Sequence, residues 1–260
     1  MLRLGTVPYL NALPLVEGLH AQHDVELVAR VPSELAPRLR AGELDAALVS
    51  AVELFRTPTL SWVRGPAVIS RGAVRSILLF LRCPLSEVRS LALDRSSLSA
   101  AALTQVVLRR FAGLAPLELQ RSDPERALHE IDADAVLRIG DPALRTDPGQ
   151  REVLDVGAFW QTHSGLPFVY ALWLVRPEAA SPELAARLVA AAAAGHVRRH
   201  ALALEFAAEH AMDPDACSTY LHESIAYDFG PREQAGLALF GRLAHGLGLV
   251  DQGVLPDPVA

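Results

Sequence analysis

The sequence contains no lysine, and all 24 residues counted as lysine or arginine are arginine. A lysine Schiff base to a carbonyl substrate or to pyridoxal phosphate is therefore excluded. The absence also removes the lysine that a phosphate-binding P-loop requires. Any cationic side chain that binds an anion in this protein must be an arginine.

Cysteine is almost as scarce, with only Cys83 and Cys217 in 260 residues. They are far apart and form no CxxC pair, so we expect two ordinary thiols in a reducing compartment. His196 and His200 have the i, i+4 spacing of zinc ligands but lack the glutamate of an HExxH motif and a third ligand nearby. The sequence therefore predicts no metal site.

No apolar run reaches the roughly 18 residues of a membrane helix. The first ten residues contain neither a long apolar segment nor a cleavage site of the secretory type. Acidic and basic residues are interleaved along the chain, and the formal net charge is -6, without a basic stripe for nucleic acid. We expect a cytoplasmic monomer or homodimer whose partner is a small molecule, with neither nucleic acid nor a membrane bound.

Strand and helix patterns alternate along the chain, which is typical of largely parallel sheets covered by helices. Predicted strands lie at 2–7, 25–31, 44–49, 76–81, 91–94, 117–120, 133–139 and 168–175. Predicted helices lie at 11–20, 33–41 (with Ser33 as its cap), 99–111, 124–130, 184–194, 196–210, 214–222 and 231–247. We expect an α/β protein of two lobes, the first made of residues 1–84 and 174–260 and the second of residues 85–173.

Two similar segments, GELDAALVS (42–50) and HEIDADAVLRIGD (129–141), suggest that the second lobe repeats the first. Ligands of open α/β sheets bind outside the carboxyl ends of the strands. Ser50 in one segment, and Ile139, Gly140 and Asp141 in the other, are therefore predicted to face a common cleft. Biased use of alanine and leucine is the alternative explanation of this weak repeat.

Two predicted helix starts carry polar groups. VPYLNALPL holds the only asparagine of the chain, Asn11, which suits either an N-cap or a ligand-binding amide. LALDRSSLSAAAL places Ser96, Ser97 and Ser99 at one helix entrance, more hydroxyl groups than capping requires, which favours anion binding.

Several catalytic motifs are missing. The sequence has no GxSxG, no GxGxxG and no paired glutamates, so acyl transfer and dinucleotide binding have no support. We expect no cofactor. The chain is predicted to cross between the lobes near residues 82–90 and 164–176. His163 lies near the second of these crossovers, where it is either a candidate base or an exposed residue.

The chain resembles the chorismate dehydratases of the futalosine pathway of menaquinone biosynthesis. The resemblance rests on motifs that occur in the family's order over nearly the whole chain: GTVPYLNALPL, DAALVSAVEL, RGAVRSILLF, LDRSSLSAAAL, DAVLRIGDPAL, GLPFVYALWLVR and YLHESIAYDFGPREQAGLALFGRLAHGLGLV. The first motif is shared with 1,4-dihydroxy-6-naphthoate synthase, whereas IGDPAL, GLPFV and the C-terminal motif are specific.

The resemblance implies a fold like that of type II periplasmic binding proteins and the conversion of chorismate to 3-[(1-carboxyvinyl)oxy]benzoate and water. It implies Asn11 as the catalytic residue. The residues it implies for substrate binding are Tyr9, Ser50, Ser76, Ser97, Ser99, Ile139, Gly140, Asp141 and Phe168, with Gly72 and Pro167 in the same motifs. Leu98 stands where arginine is common in the family, so an arginine contact to the substrate is not carried over.

No matched residue is an obvious base. The substrate's own side-chain carboxylate is the favoured proton acceptor, and His163 is the alternative. Two other functions stay open from the sequence: the sister naphthoate synthase, and a small-molecule binding protein without catalytic activity.

Overall fold

The computed structural model describes residues 1–259, which form two β-sheets and a helical C-terminal region. The strands are β1 (Leu2–Thr6), β2 (Val25–Ala29), β3 (Ala46–Ser50), β4 (Ser61–Ser70), β5 (Ile77–Leu81), β6 (Ser90–Asp94), β7 (Glu118–Ser122), β8 (Ala135–Ile139), β9 (Glu152–Asp155), β10 (Phe168–Val175) and β11 (Ala226–Asp228). The α-helices are α1 (Pro32–Arg40), α2 (Glu53–Arg56), α3 (Ser99–Val106), α4 (Gly140–Arg145), α5 (Val156–Ser164), α6 (Pro182–His210), α7 (Pro214–Thr219) and α8 (Pro231–His245).

Shorter helical segments connect these elements. The 3-10 turns are Leu10–Leu15, Leu19–Ala21, Leu85–Glu87, Leu128–Glu130 and Pro177–Ala179, and the π-helical segments are Val107–Phe111 and Tyr220–Ser224. Within residues 1–259, no helix is both long enough and apolar enough to cross a membrane.

The two sheets divide the chain into two lobes. The six-stranded sheet has the order β11-β4-β10-β3-β1-β2, and the five-stranded sheet has the order β7-β6-β8-β5-β9. The chain therefore passes to the second sheet between β4 and β5 and returns between β9 and β10. By sheet membership, β5 and the first part of β10 lie in the opposite lobes from those expected with boundaries at residues 84 and 173.

Each sheet contains a strand that enters from the other lobe and runs against its neighbours. β10 is antiparallel to β3 and to β4, and β5 is antiparallel to β8 and to β9. Two consecutive strands can pair in parallel only if the chain crosses back over one face of the sheet between them. A strand that enters the sheet from the other lobe needs no such crossover and can pair antiparallel. The sheets are thus mixed, and the expectation of largely parallel sheets was wrong for these central strands.

The segment predicted as a helix over residues 11–20 is two 3-10 turns, Leu10–Leu15 and Leu19–Ala21. Pro14 lies inside the first turn and lacks the N–H group that an α-helix would need there. Gly18 has φ +72°, a left-handed conformation that separates the two turns. Tyr9 occupies the N-cap position and makes no side-chain capping bond, so the interpretation of Asn11 as an N-cap was wrong.

Other elements also differ from the predictions. Helix α1 begins at Pro32 after Val31, without a side-chain cap, so Ser33 does not cap it. The predicted helix over residues 124–130 is only the 3-10 turn Leu128–Glu130. The sequence pattern also missed β4, whose alternation is interrupted by Gly65 and Pro66 where its pairing with β10 shifts register.

Helix α6 continues through Gly195, although glycine predicted a break there. A Cβ atom at this position would lie 2.0 Å from the backbone oxygen of Pro14. The glycine therefore allows α6 to pack directly on the backbone of the first 3-10 turn, which carries Asn11.

Candidate active site

A cavity lies between the two lobes, and both sheets contribute residues to it. Its volume is about 70 Å³, several times the roughly 10–15 Å³ that one water molecule occupies by such a measure. The predicted site residues that line it are Tyr9, Asn11, Ser50, Ser76, Ser97, Ser99, Ile139 and Gly140. The strand ends explain this convergence, because β3 ends at Ser50 and β8 at Ile139.

Two of the predicted binding residues lie outside the lining. Phe168 is 1% exposed and packs in an aromatic cluster, with ring centroids 5.3 Å from Trp160 and 5.0 Å from Phe240. Asp141 follows Gly140 in the first turn of α4 and is 9% exposed. The structure therefore brings eight of the ten predicted residues together in the lining, and these two are buried outside it.

The side chain of Asn11 is held by Tyr220, a residue 209 positions away in the chain. Asn11 Nδ2 donates to Tyr220 Oη at 2.9 Å, and Tyr220 Oη lies 2.7 Å from Ser76 Oγ. Burial raises the pKa of Tyr220 to about 12, so its hydroxyl group keeps its proton at neutral pH. This network joins the start of the first lobe, the C-terminal region and the entrance to the second lobe.

The serine-rich turn also has defined hydrogen bonds. Ser97 Oγ accepts from the N–H group of Ala101 at 3.0 Å, and Ser99 Oγ accepts from the N–H group of Val52 at 3.1 Å. A hydroxyl group that accepts such a bond still has its own proton to donate. Ser97 and Ser99 can therefore donate to a ligand in the cavity, while Ser96 Oγ donates to Asp94.

Tyr9 extends from the first lobe to the second. Gly140 has φ +61°, and a Cβ atom there would lie 3.4 Å from the ring of Tyr9. The left-handed backbone therefore favours glycine here, and the ring of Tyr9 lies within ordinary contact distance of this position. Burial raises the pKa of Tyr9 to about 12, so this phenol is neutral at physiological pH.

Asp141 carries a buried carboxyl group beside the cavity. Burial raises its pKa to about 6, and the positive charges of Arg145 and His210 offset only part of this effect. Unfolding returns the carboxyl group to water, where its pKa is about 3.8. The native state thus binds the proton more tightly, and its free energy of unfolding falls as the pH rises from about 4 to about 6.

Replacing Asp141 with asparagine is expected to remove this pH-dependent loss. Asp141→Asn should raise the free energy of unfolding at pH 8 by up to about 3 kcal/mol and change it little at pH 4. Urea denaturation at both pH values measures the difference. Asp251→Asn, at an exposed aspartate, is the control and should behave as wild type at both; equal effects of Asp141→Asn at pH 4 and pH 8 would contradict the raised pKa.

Sequence reasoning singled out Tyr9 but missed two other tyrosines at the site, Tyr170 and Tyr220. The chain has only four tyrosines, and the structure places Tyr9 and Tyr170 in the cavity lining and Tyr220 against Asn11. Tyr170 Oη lies 3.0 Å from Ser70 Oγ, and burial raises the pKa of this phenol. The scarcity of tyrosine is the sequence signal that could have identified Tyr170 and Tyr220.

His163 lies outside the cavity lining. It is exposed on α5, with Nδ1 2.8 Å from the backbone oxygen of Phe159 and its ring stacked on the Phe159 ring at 4.1 Å. Among residues 1–259, no group of three or more histidine, cysteine, aspartate and glutamate side chains is arranged to hold a metal ion.

A wider depression of about 770 Å³ opens on the second lobe. Three of its arginines already pair with carboxylates: Arg82 with Asp132 and Asp134, Arg126 with Glu130, and Arg145 with Glu125. None of the predicted site residues lines it. The smaller cavity between the lobes is therefore the candidate site.

Comparison with known proteins gives both a family and a fold. A family model described as menaquinone biosynthesis matches residues 2–246. A chorismate dehydratase of Thermus thermophilus is 31% identical over 204 residues, which make up 69% of this chain and 72% of that protein.

Two solved structures share the fold at low sequence identity. The protein AF1704 of Archaeoglobus fulgidus matches with a TM-score of 0.78 at 14% identity, over 95% of this chain and 98% of that one. The periplasmic aliphatic sulphonate binding protein SsuA of Escherichia coli matches with a TM-score of 0.67 at 17% identity, over 97% of this chain and 94% of that one. The expected fold class, a two-lobed α/β protein like the periplasmic binding proteins, is confirmed.

Proposed function

Because the chain belongs to the menaquinone biosynthesis family, we propose that it is a chorismate dehydratase, a carbon–oxygen lyase that converts chorismate to 3-[(1-carboxyvinyl)oxy]benzoate and water. The family resemblance seen in the sequence motifs is confirmed by the family model and by the Thermus thermophilus relative. The observation that carries the proposal is this relative's activity, together with an interlobe cavity lined by matching motif residues. We place the reaction in the cytoplasm, in a monomer or homodimer.

The chemistry requires the loss of a proton from ring carbon C3 and of the hydroxyl group from C4, which leaves an aromatic ring. The C3–H bond is conjugated through a ring double bond to the ring carboxylate. Negative charge from C3 therefore spreads onto that carboxylate as the proton leaves. Hydrogen bonds donated by the hydroxyl groups of Ser97 and Ser99 to this carboxylate would stabilise the developing charge.

The lining residues limit the choice of base. Among the described residues that line the cavity, none carries a carboxylate, an imidazole or a guanidinium group. The tyrosines Tyr9 and Tyr170 have raised pKa values and keep their protons. The acceptor that fits such a cavity is the carboxylate of the substrate's own enolpyruvyl side chain, held by the protein in a reactive geometry.

The first experiment is incubation of the purified protein with chorismate, without added metal or cofactor. We expect a product that has lost one water by mass and that shows the ultraviolet absorbance of a benzoate. Chorismate recovered unchanged, with or without binding, would contradict the proposal. Heat-denatured protein is the control, because chorismate also decomposes spontaneously.

A further inference from the structure

The hydroxyl group of Tyr220 has two hydrogen-bond partners, and their chemistry fixes the direction of both bonds. Asn11 Nδ2 can only donate, so Tyr220 Oη accepts that bond at 2.9 Å. The phenol has one proton, which is left for Ser76 Oγ at 2.7 Å. Ser76 Oγ then accepts, and its own proton is free to point into the cavity that Ser76 lines.

The same bonds orient the amide of Asn11. One of the two Nδ2–H groups is engaged by Tyr220, which fixes the plane of the amide, and the amide oxygen is the acceptor that Asn11 can present to the cavity. The cavity wall thus presents an acceptor on Asn11 beside a donor on Ser76. A hydroxyl group, which both donates and accepts, is the complementary ligand group.

We propose that Tyr220 is a positioning residue, whose hydroxyl group orients Asn11 as acceptor and Ser76 as donor around the departing C4 hydroxyl group of the substrate. This inference rests on the proposed function for the identity of that hydroxyl group. The C–O electron pair leaves with the oxygen, to which Ser76 donates a hydrogen bond, while Asn11 accepts one from the hydroxyl proton. The proton that the enolpyruvyl carboxylate has taken from C3 then joins the departing hydroxide to give water.

Burial keeps this arrangement in one state. Tyr220 is 2% exposed, so water does not compete for its hydroxyl group. It lies in the π-helical segment Tyr220–Ser224, where the C-terminal region reaches the interlobe cavity. The pKa of Tyr220, raised to about 12 by burial, keeps the direction of the two bonds constant across the neutral pH range.

The chain offers a matched control for Tyr220. Tyr227 is also buried, at 7% exposure, but its hydroxyl group has no hydrogen-bond partner among the described residues. Removing an unpartnered buried hydroxyl group is expected to be neutral or stabilising. Tyr227→Phe therefore reports the effect of losing a buried phenol oxygen without losing the network.

A spectroscopic test uses the fact that Asn11 is the only asparagine. Protein labelled with 15N-asparagine gives a single pair of asparagine side-chain amide proton signals. In Tyr220→Phe, we expect this pair to shift toward free-amide values and to exchange faster with water, because Nδ2 has lost its acceptor. Tyr227→Phe should leave the signals unchanged. Unchanged signals in folded Tyr220→Phe would overturn the inference, whether or not the wild-type protein turns over chorismate.

Kinetics provide the second test. Tyr220→Phe is expected to lower kcat for chorismate by about 10- to 100-fold, with KM within a few-fold of wild type, because the network acts on the departing group. Ser76→Ala should lower kcat while leaving the Asn11 signals close to those of wild type. In the Ser76→Ala background, Tyr220→Phe should cost less than it does alone. Full additivity, or a kcat for Tyr220→Phe equal to that of Tyr227→Phe, would overturn the positioning role.

Discussion

Asn11→Ala is expected to lower kcat for chorismate by about 10²- to 10³-fold, the usual effect of removing one polar group aimed at a reacting centre. The side chain is anchored by Tyr220 at 2.9 Å and lines the interlobe cavity. Alanine removes the amide without adding bulk, so the fold and chorismate binding should persist. Steady-state kinetics, together with calorimetric titration of chorismate on the variant, separate these effects.

His163→Ala is the control for this result, because His163 is exposed and lies away from the cavity lining. Its kcat should stay within a few-fold of wild type. If Asn11→Ala kept nearly full turnover, Asn11 would not act on the substrate. If His163→Ala lost several orders of magnitude in rate with the fold intact, the substrate carboxylate would not be the base.

Gly195→Ala is expected to destabilise the protein by about 3 kcal/mol or more, although in a helix interior alanine is normally more stable than glycine. A Cβ atom at Gly195 would lie 2.0 Å from the backbone oxygen of Pro14. Either α6 or the first 3-10 turn must then move, and that turn carries Asn11. Urea denaturation should show the loss of stability, and kcat should fall with it.

Ala193→Gly, at an exposed position of the same helix, provides the opposite substitution. It should cost only about 1 kcal/mol, through helix propensity alone, and leave kcat unchanged. A Gly195→Ala variant as stable as wild type would show that the close contact between α6 and Pro14 is absent in solution.

The strands nearest the site were predictable because their signals are local. The apolar runs at 133–139 and 168–175 correspond to β8 and β10, and the strand-end rule placed Ser50, Ile139 and Gly140 around one cavity. Such patterns depend on residues a few positions apart, and so they can be recognised without knowledge of the tertiary structure.

The features that could not be predicted from the sequence depend on contacts between residues far apart in the chain. Asn11 resembles an N-cap locally, but its partner Tyr220 is 209 residues away. Gly195 resembles a helix break, but it is required by the packing of Pro14. Phe168 and Asp141 lie beside motif residues that line the cavity, yet Phe168 belongs to the aromatic core and Asp141 is buried next to Gly140, outside the lining. A role of these two residues in substrate binding stays a prediction.

The position of β10 between β3 and β4 delays the assembly of the first sheet while the chain is synthesised at the ribosome. Until residues 168–175 have emerged, the first sheet exists only as two separate pieces, one of them containing β3, whose five residues are all buried in the finished protein. The second sheet, made of residues 77–155, is by then complete. The nascent chain therefore carries unpaired apolar strand edges through the synthesis of the whole second lobe, and such edges are prone to aggregation.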